Sequence, residues 1–152
     1  MKKILITGIA GLLGSRLADW IIKNTKHKVV GIDDLSGGFL ENINREVQFY
    51  KFNLIDLEAL KGVFEKEKID IVYHFAAYAA EGLSPFIRKY NYENNLIAST
   101  NLITCSIQYD VSRFVFASSM SVYGNKYDPP FSEDLAQAPI DPYAVAKYAV
   151  EM

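Results

Sequence analysis

The sequence from Lys3 to Gly14, Lys-Ile-Leu-Ile-Thr-Gly-Ile-Ala-Gly-Leu-Leu-Gly, decides the fold. A short apolar run ends at Thr7, and Gly8, Gly11 and Gly14 follow it, immediately before apolar residues with helical spacing. Glycines between a strand and a helix let the backbone approach a pyrophosphate, whose charge is met by free N–H groups at the helix N-terminus. A tight turn with small-residue packing is the structural alternative. With a strand before it and a helix after it, the pattern favours nucleotide binding.

Short apolar runs rich in Ile and Val alternate with segments of helical period, which is typical of βαβ units around a parallel sheet buried on both faces. The predicted strands are Lys3–Thr7, Lys28–Ile32, Val47–Phe52, Ile69–His74 and Arg113–Ser118. The helix faces predicted to pack on the sheet are Leu13, Leu17 and Ile21, then Leu57, Leu60 and Phe64, then Leu96, Ile103 and Ile107. Right-handed crossovers, and too few strands for a barrel, indicate an α/β fold with an open, doubly wound parallel sheet of the Rossmann type.

The composition argues against several classes of partner. With 16 basic and 18 acidic residues among 152, the formal charge is -2, so no long-range field would attract nucleic acid or an anionic membrane. The single cysteine, Cys105, cannot form an internal disulfide, and two histidines leave little from which to build a metal site. The longest largely apolar stretch, residues 69–80, is too short to cross a bilayer. We therefore expect a soluble, cytoplasmic protein without a metal.

Two adjacent acidic residues end the second predicted strand. Asp33 and Asp34 follow Gly14 at a distance where a carboxylate can accept both ribose hydroxyls of an adenosine. No Lys or Arg occurs between Asp33 and Leu40 to offset the repulsion of a 2′-phosphate, so the pattern predicts NAD rather than NADP. The alternative is that residues 33–38 form a solvated loop that begins with an Asx turn.

Three polar residues near the next two strands need separate interpretations. For Asn53, a hydrogen bond to an adenine edge and a simple turn are equally compatible with the sequence. Asp56 is expected to be the N-cap of the following helix. His74, alone in an apolar strand, is expected to be a hydrogen-bonded structural residue, and small residues follow it where a ligand would cross the sheet.

The pentapeptide Tyr143-Ala144-Val145-Ala146-Lys147 places a phenol and an ammonium on one face of a helix, because positions i and i+4 are neighbours. A nearby ammonium favours the ionised phenol and lowers its pKa toward working pH, as a general base requires. Ser118 and Ser119 close the fifth predicted strand, where a hydroxyl can hydrogen-bond a substrate oxygen. Asp141 and Pro142 predict that the helix begins there. Only the combination of these features is specific.

Four motifs, in this order, resemble the extended short-chain dehydrogenase/reductases. They are Gly-Ile-Ala-Gly-Leu-Leu-Gly at 8–14, His-Phe-Ala-Ala at 74–77, Ser-Ser-Met-Ser-Val-Tyr-Gly at 118–124 and Tyr-Ala-Val-Ala-Lys at 143–147. Within that superfamily the chain is most similar to the nucleotide-sugar 4-epimerases of the UDP-glucose 4-epimerase type. The resemblance implies NAD as the cofactor, a nucleotide-sugar substrate such as a UDP-hexose, and a homodimer of the whole protein.

The resemblance also assigns roles to individual residues. It implies that Tyr143 is the acid/base, that Lys147 binds the nicotinamide ribose and tunes the tyrosine, and that Ser119 hydrogen-bonds the reacting oxygen. The motifs and the resemblance together give these cofactor-binding residues: Gly8, Gly11, Leu12, Leu13, Gly14, Asp33, Asp34, Asn53, Leu54, Phe75, Ala76, Ala77, Asn95, Tyr143 and Lys147. The chain departs from the family at two positions, with Asn53 where Asp is common and Ala79 where several epimerases carry a phosphate-contacting lysine.

Among the reactions of the superfamily, 4-epimerisation is favoured. Dehydratases carry Asp-Glu just before their Val-Tyr-Gly element, where this chain has Met120-Ser121. A nucleotide-sugar 4-keto reductase and a catalytically idle NAD-binding protein are the competing hypotheses. In the family, a smaller C-terminal domain holds most of the substrate, and a further strand follows the Tyr143 helix. We therefore expect residues 1–152 to be an incomplete NAD-binding domain that alone binds nucleotide weakly, shows no epimerase turnover and has an unpaired sheet edge.

Overall fold

A computed structural model describes all residues from Met1 to Met152. Its strands are β1 (Lys3–Thr7), β2 (Lys28–Asp33), β3 (Gln48–Lys51), β4 (Ile71–His74) and β5 (Arg113–Phe116). They form one parallel sheet in the order β3-β2-β1-β4-β5. The predicted open, doubly wound α/β fold is confirmed, with strand ends that differ from the predicted ones by one or two residues at β2 to β5.

The helices follow the predicted alternation with strands. They are α1 (Leu12–Asn24), α2 (Leu57–Glu67), α3 (Arg88–Tyr92), α4 (Ala98–Gln108) and α5 (Pro142–Glu151). A π-helical turn, Glu93–Ile97, joins α3 to α4. Such turns are rare and are frequently found at functional sites, so this turn marks the helix as more than a cover for the sheet.

The strand order reverses beside β1. Strands β2 and β3 lie on one side of β1, whereas β4 and β5 lie on the other. Thr7, the last residue of β1, is level with Ile32 in β2 and with His74 in β4. Ligands of such sheets bind outside the carboxyl ends of the strands at this point of reversal. The turns that begin at Gly8 and Phe75 therefore border the expected ligand crevice.

Two apolar cores, one on each face of the sheet, explain why the strands are apolar without alternation. Leu5 of β1 belongs to the core that also contains Leu60 of α2 and Leu102 of α4. Ile6, its neighbour in β1, belongs to the opposite core, which contains Ile21 of α1. Successive side chains of a strand point to opposite faces, so burial on both faces requires an apolar residue at every position.

The predicted buried face of α1 is confirmed at Ile21, which is buried, and at Leu17, which packs against the same core, but it is wrong at Leu13. Leu13 is 61% exposed, whereas Gly14, Ser15, Ala18 and Ile21 are buried. The reason is a close approach at Gly14, where a Cβ would lie 2.2 Å from the carbonyl oxygen of Gly8. Small residues therefore face the sheet on this helix, and the larger Leu13 is turned outward.

The buried face of α4 is also rotated relative to the prediction. Ile107 is 73% exposed, and the helix packs on the sheet through Ala98, Leu102 and Cys105. The predicted face of α2 is confirmed, since Leu60 and Phe64 are both buried. Periodicity alone gives the spacing of an apolar face, but several overlapping apolar faces on α4 satisfy the same spacing.

The structure contains neither a membrane-spanning helix nor a cluster of metal-binding side chains. None of the helices combines the length and the hydrophobicity that a membrane span would need. No group of three or more His, Cys, Asp or Glu side chains is arranged to hold a metal ion. Cys105 is a buried free thiol in the core beneath α4.

Candidate active site

The turn between β1 and α1 has a backbone that only glycine fits. Gly8 has a φ of +69°, and a Cβ there would lie 2.7 Å from the amide nitrogen of Ala76. Gly11 is the N-cap of α1 and provides no side-chain acceptor for the N–H groups of the first turn. These groups, at the positive end of the helix dipole, are therefore available to an anion. This cradle fits the pyrophosphate of a dinucleotide.

A cavity lies beside this turn, outside the carboxyl ends of β1 to β4. Nine of the predicted cofactor-binding residues line it: Gly8, Gly11, Asp33, Asp34, Asn53, Leu54, Phe75, Ala76 and Ala77. The other lining residues, which the sequence did not indicate, are Ile32, Ser36, Gly37, Gly38, Phe52, Tyr78, Tyr90, Asn94 and Ala98. No lysine or arginine is among them, so the charge in this cavity comes from Asp33 and Asp34 alone.

The carboxylate of Asp33 is fixed by the backbone at the end of β2. Its Oδ2 accepts a hydrogen bond from the N–H of Ala10 at 3.0 Å, and its Oδ1 accepts one from the N–H of Leu35 at 2.8 Å. The second bond is the Asx turn that was the alternative interpretation of residues 33–38, so Asp33 both begins this turn and lines the cavity. Each carboxylate oxygen keeps a further lone pair, and ribose hydroxyls can still donate to it.

Asp34 is an ionised carboxylate in the cavity wall. Its Oδ1 accepts from the N–H of Ser36 at 2.8 Å, and its Oδ2 accepts from Nδ2 of Asn53 at 2.6 Å. Burial raises the pKa of Asp34, but the hydrogen bonds from Ser36 and Asn53 outweigh burial and hold the pKa below its ordinary value. Asp34 therefore carries its charge at neutral pH.

Asn53 connects the end of β3 to two other elements. Its Nδ2 donates to Asp34 and also to Oδ1 of Asn94 at 3.0 Å, while its Oδ1 accepts from the N–H of Ile55 at 3.0 Å. The bond to Ile55 closes a turn, which is one of the two interpretations of Asn53 that the sequence allowed. Both N–H groups of the Asn53 amide are committed to protein acceptors, so they are not available to an adenine edge.

Leu12, Leu13 and Gly14, predicted to bind the cofactor, do not line the cavity. Leu12 and Leu13 are 72% and 61% exposed, so their contribution would come from backbone N–H groups in the first turn of α1. Gly14 is buried against Gly8 and is needed for close packing. These three residues shape the turn, and their side chains do not reach the cavity.

Asn95, also predicted to bind the cofactor, instead positions the cavity wall. It is 2% exposed; its Oδ1 accepts from the N–H of Tyr78 at 2.8 Å, and its Nδ2 donates to the carbonyl oxygen of Tyr78 at 3.1 Å. With both ends of the amide committed to this backbone, the side chain holds Tyr78 in the wall. Asn95 is not among the residues that line the cavity, and its direct contact with a cofactor stays a prediction.

His74 is a buried structural residue, as the sequence predicted. Its Nδ1 pairs with the hydroxyl of Thr7 at 2.7 Å, and its Nε2 pairs with the hydroxyl of Ser99 at 2.8 Å. Burial, with a smaller contribution from the charge of Lys147, lowers the pKa of His74 to about 3. The neutral imidazole therefore joins β1, β4 and α4 beneath the site.

Helix α5 begins at the residue that the sequence predicted. Oδ1 of Asp141 accepts from the N–H groups of Tyr143 at 2.8 Å and Ala144 at 3.0 Å, and Pro142 occupies the first helical position. The hydroxyl of Ser84 also donates to Asp141, at 3.0 Å. This cap fixes the start of the helix and hence the direction of its first two turns.

The three predicted catalytic residues come together at the carboxyl end of β5. Tyr143 and Lys147 are only 8% and 4% exposed. Nζ of Lys147 donates to the carbonyl oxygen of Ala117 at 2.8 Å and lies 5.7 Å from the ring centroid of Tyr143. Ser119 caps the next short turn by accepting from the N–H of Ser121, and its hydroxyl interacts with the Tyr143 phenol. The arrangement is that of a buried acid/base with a cation and a hydroxyl beside it.

The pKa of Tyr143 moves in the direction opposite to the one expected from the sequence. Burial raises it, the hydroxyl of Ser119 opposes the rise, and the carboxylates of Glu81 and Asp141 add to it. Nζ of Lys147 donates to the carbonyl oxygen of Ala117 and makes no hydrogen bond to the phenol oxygen. Without a ligand, therefore, the phenol is held protonated.

Lys147 is a buried cation with unused donors. Burial lowers its pKa to about 8. An ammonium has three N–H donors, and the protein uses one of them, on Ala117. The other two are available to a ligand that presents hydroxyl groups beside Tyr143.

Buried asparagines connect the catalytic helix to the cavity, a feature that the sequence did not indicate. Nδ2 of Asn91 donates to the carbonyl oxygen of Pro142 at 2.9 Å, and its Oδ1 accepts from Nδ2 of Asn95 at 2.8 Å. Asn95 in turn holds Tyr78. The feature of the sequence that could have indicated this network is the presence of three asparagines, Asn91, Asn94 and Asn95, in one helical segment. Buried amides must be hydrogen-bonded, so buried asparagines this close together indicate a network.

Comparison with known proteins shows the family to which this sequence and fold are similar. The model of the NAD dependent epimerase/dehydratase family matches residues 4–152. Among curated proteins, the chain is 35% identical over 155 residues to the UDP-glucose 4-epimerase of Bacillus subtilis (strain 168). That match covers 97% of this chain and 45% of the relative.

Two solved structures are similar over nearly the whole chain. The UDP-glucose 4-epimerase of Thermotoga maritima, crystallised with UDP-glucose, has a TM-score of 0.94 and 36% identity, covering 99% of this chain and 49% of that one. The UDP-glucose 4-epimerase of Thermus thermophilus, in complex with NAD, has a TM-score of 0.90 and 31% identity, covering 98% and 48%. The chain thus spans about half the length of the relatives that it matches.

Proposed function

Because this chain belongs to the NAD-dependent epimerase/dehydratase family, we propose that the protein is a nucleotide-sugar 4-epimerase that acts on a UDP-hexose. In this proposal residues 1–152 supply the cofactor site and the catalytic residues. The observation that supports it best is the buried Tyr143–Lys147 pair with Ser119 beside it, at the same edge of the sheet as the cavity.

The residues present fit NAD, the cofactor of the family. When bound, NAD accepts a hydride from C4 of the sugar and returns it to the other face. The glycine turn and the open N-terminus of α1 would hold the pyrophosphate, and Asp33 would accept the adenosine ribose hydroxyls. Lys147 would donate its two free N–H groups to the nicotinamide ribose.

The proton chemistry belongs to Tyr143. As a phenolate it would remove the proton of the sugar 4-hydroxyl, and as a phenol it would return that proton, with Ser119 hydrogen-bonded to the reacting oxygen. Burial raises the pKa of Tyr143, so formation of the phenolate requires a cation at the phenol oxygen. The ammonium of Lys147, whose Nζ lies 5.7 Å from the centroid of the Tyr143 ring, would supply this positive charge.

The residues around Ser119 favour epimerisation over dehydration. Met120 is 66% exposed and carries no ionisable group, and Ser121 is buried with its hydroxyl donating to that of Ser119 at 2.9 Å. Neither can serve as the additional acid or base that elimination of water requires. Epimerisation needs no ionisable group beyond Tyr143.

Product analysis with the whole protein in which this chain occurs tests the proposed function. We expect the protein to interconvert UDP-glucose and UDP-galactose without added cofactor, and proton NMR can follow this reaction. We also expect the protein to release NAD when it is denatured. A product that has lost its 6-hydroxyl would indicate a dehydratase. If the protein leaves both UDP-hexoses unchanged but reduces an added nucleotide 4-keto sugar with consumption of an equal amount of added NADH, it is a 4-keto reductase. Bound NAD without turnover of either kind of substrate would indicate a non-catalytic protein.

The charge of the cavity also predicts a preference for NAD over NADP. We expect NAD to bind at least on the order of tenfold more tightly, because the Asp33 carboxylate would repel a 2′-phosphate and no basic side chain lines the cavity. Asp33→Asn should reduce the ratio of the affinity for NAD to the affinity for NADP, whereas Asp34→Asn should leave this ratio unchanged. Paired calorimetric titrations of both cofactors measure the ratio, and equal affinities for the native chain would contradict the prediction.

A further inference from the structure

Asp34 and Asn53 meet at the cavity wall where an adenosine would lie. An adenine ring presents a 6-amino group, which is a donor and needs an acceptor in the protein. Both side chains line the cavity, and they are joined by the hydrogen bond of 2.6 Å from Nδ2 of Asn53 to Oδ2 of Asp34. The acceptor for the amino group is therefore either the amide oxygen of Asn53 or the carboxylate of Asp34.

The hydrogen bonds of Asn53 leave it poorly suited to this role. Its two N–H groups are used by Asp34 and Asn94, and its Oδ1 already accepts from the N–H of Ile55 at 3.0 Å. The amide cannot rotate without breaking its bonds to Asp34, Asn94 and Ile55, and its oxygen keeps one free lone pair. Its geometry is that of a side chain holding its neighbours in place.

Asp34 is the stronger acceptor of the two, because it offers an ionised carboxylate where Asn53 offers a neutral amide oxygen. Each carboxylate oxygen can accept two hydrogen bonds; Oδ1 accepts one from the N–H of Ser36 and Oδ2 accepts one from Nδ2 of Asn53, and the hydroxyl of Ser36 also interacts with the carboxylate. A hydrogen bond to an ionised acceptor is roughly twice as strong as one between neutral groups. Asp33, the other carboxylate of the cavity, is held by the N–H groups of Ala10 and Leu35, and the proposed function assigns its remaining lone pairs to the ribose hydroxyls.

We propose that Asp34 recognises the 6-amino group of the cofactor adenine, and that Asn53 is a positioning residue that holds the Asp34 carboxylate toward the ring. This inference rests on the cavity being the NAD site of the proposed function. It also accounts for the departure from the family at Asn53: a second carboxylate at that position would lie within hydrogen-bond distance of Asp34 and repel it.

The test compares the binding of NAD and of nicotinamide hypoxanthine dinucleotide, in which a carbonyl oxygen replaces the 6-amino group. The whole protein in which this chain occurs, freed of any bound NAD, should bind NAD at least on the order of tenfold more tightly by calorimetry, because the carbonyl oxygen would face an ionised carboxylate. Asp34→Asn should bring the two affinities to within about threefold, because an amide can turn its N–H groups toward the carbonyl oxygen. Asp33→Asn is the matched control and should weaken both ligands while leaving their ratio unchanged.

A second variant separates positioning from general structure. Asn53→Ala should lower the ratio of the two affinities, because the Asp34 carboxylate is no longer held; a merely structural residue would weaken both ligands equally. If Asp34→Asn does not fold, Asp34→Ser provides the same comparison, since a hydroxyl can also donate to the carbonyl oxygen.

Three outcomes would overturn the inference. Equal affinity of the native chain for both dinucleotides would mean that no residue recognises the amino group. A full preference for NAD in Asp34→Asn, lost in Asn53→Ala, would identify Asn53 as the acceptor. If neither dinucleotide binds, the cavity is not a cofactor site, and the cofactor assignment of the proposed function fails with the inference.

Discussion

Tyr143→Phe in the whole protein is expected to reduce epimerisation by on the order of a hundredfold or more, while the affinity for NAD changes little. Tyr143 is 8% exposed, and its ring packs beside Nζ of Lys147. Phenylalanine keeps this ring and removes only the hydroxyl, which is the proposed acceptor of the sugar proton. Turnover measured on a UDP-hexose, together with calorimetry of NAD binding, separates the chemical step from cofactor binding.

Tyr148, five residues further along α5, provides the matched control. It is half-buried on the same helix, and no role in the site is assigned to it. Tyr148→Phe should retain near-normal turnover, because the proposed chemistry uses a single phenol. A Tyr143→Phe enzyme with near-normal turnover would exclude the tyrosine as the acid/base and leave the proposed mechanism without one.

The local features of the fold were predictable from the sequence because they depend on neighbouring residues. The turn after β1 needs a positive φ at Gly8 and close packing at Gly14, and both needs are visible as glycines at fixed spacing. The start of α5 depends on Asp141 and Pro142, which satisfy or remove N–H groups within their own turn. Strands buried on both faces are likewise visible as uninterrupted apolar runs.

Features that depend on contacts distant in sequence were not predictable in the same way. Asn95 matches a residue that the family places beside the cofactor, yet its amide is used by the backbone of Tyr78. The spacing of Tyr143 and Lys147 placed them on one helix face, but the carbonyl of Ala117 determines where Nζ lies. The direction of the pKa change at Tyr143 follows from burial, which a helical spacing does not specify.

The site also combines two halves that are far apart in the sequence. The cavity is lined by residues up to Ala98, whereas the catalytic residues lie between Ser119 and Lys147. The asparagine chain through Asn91 joins them, because it bonds both to Pro142 of α5 and, through Asn95, to the cavity wall. The side chains of Asn91 and Asn95 therefore connect the position of the catalytic helix to the shape of the cavity.

Lys147→Met is expected to stabilise the ligand-free chain while weakening its binding of NAD by at least on the order of tenfold. Burial lowers the pKa of Lys147 from its ordinary 10.5 to about 8, which corresponds to a cost of about 3 kcal/mol for keeping the charge in the folded state. Methionine has a similar length and removes this cost. The carbonyl oxygen of Ala117 loses its hydrogen-bond donor in this variant, and this loss reduces the gain in folding free energy by about 1 kcal/mol.

The pH dependence distinguishes this explanation from better packing of methionine. Below about pH 8 the lysine is protonated in both the folded and the unfolded chain, so the folded state bears the full cost. Between about pH 8 and 10.5 the folded chain loses the proton while the unfolded chain retains it, so the stability of the native chain rises with pH. The advantage of Lys147→Met should therefore be largest at neutral pH and should shrink as the pH rises through this range.

Urea unfolding of both chains at several pH values measures this difference. Lys26→Met, at an exposed lysine, is the control and should show no such dependence. A stability difference that stayed constant with pH would assign the effect to packing rather than to the buried charge. If Lys147→Met proved less stable than the native chain at neutral pH, the buried ammonium would be a stabilising group. Ligand binding would then not be needed to explain why a charged side chain that is only 4% exposed occurs in this chain. The expected outcome, a gain in stability together with a loss of NAD affinity, would mean that this chain maintains a destabilising charge because the cofactor needs its two free donors.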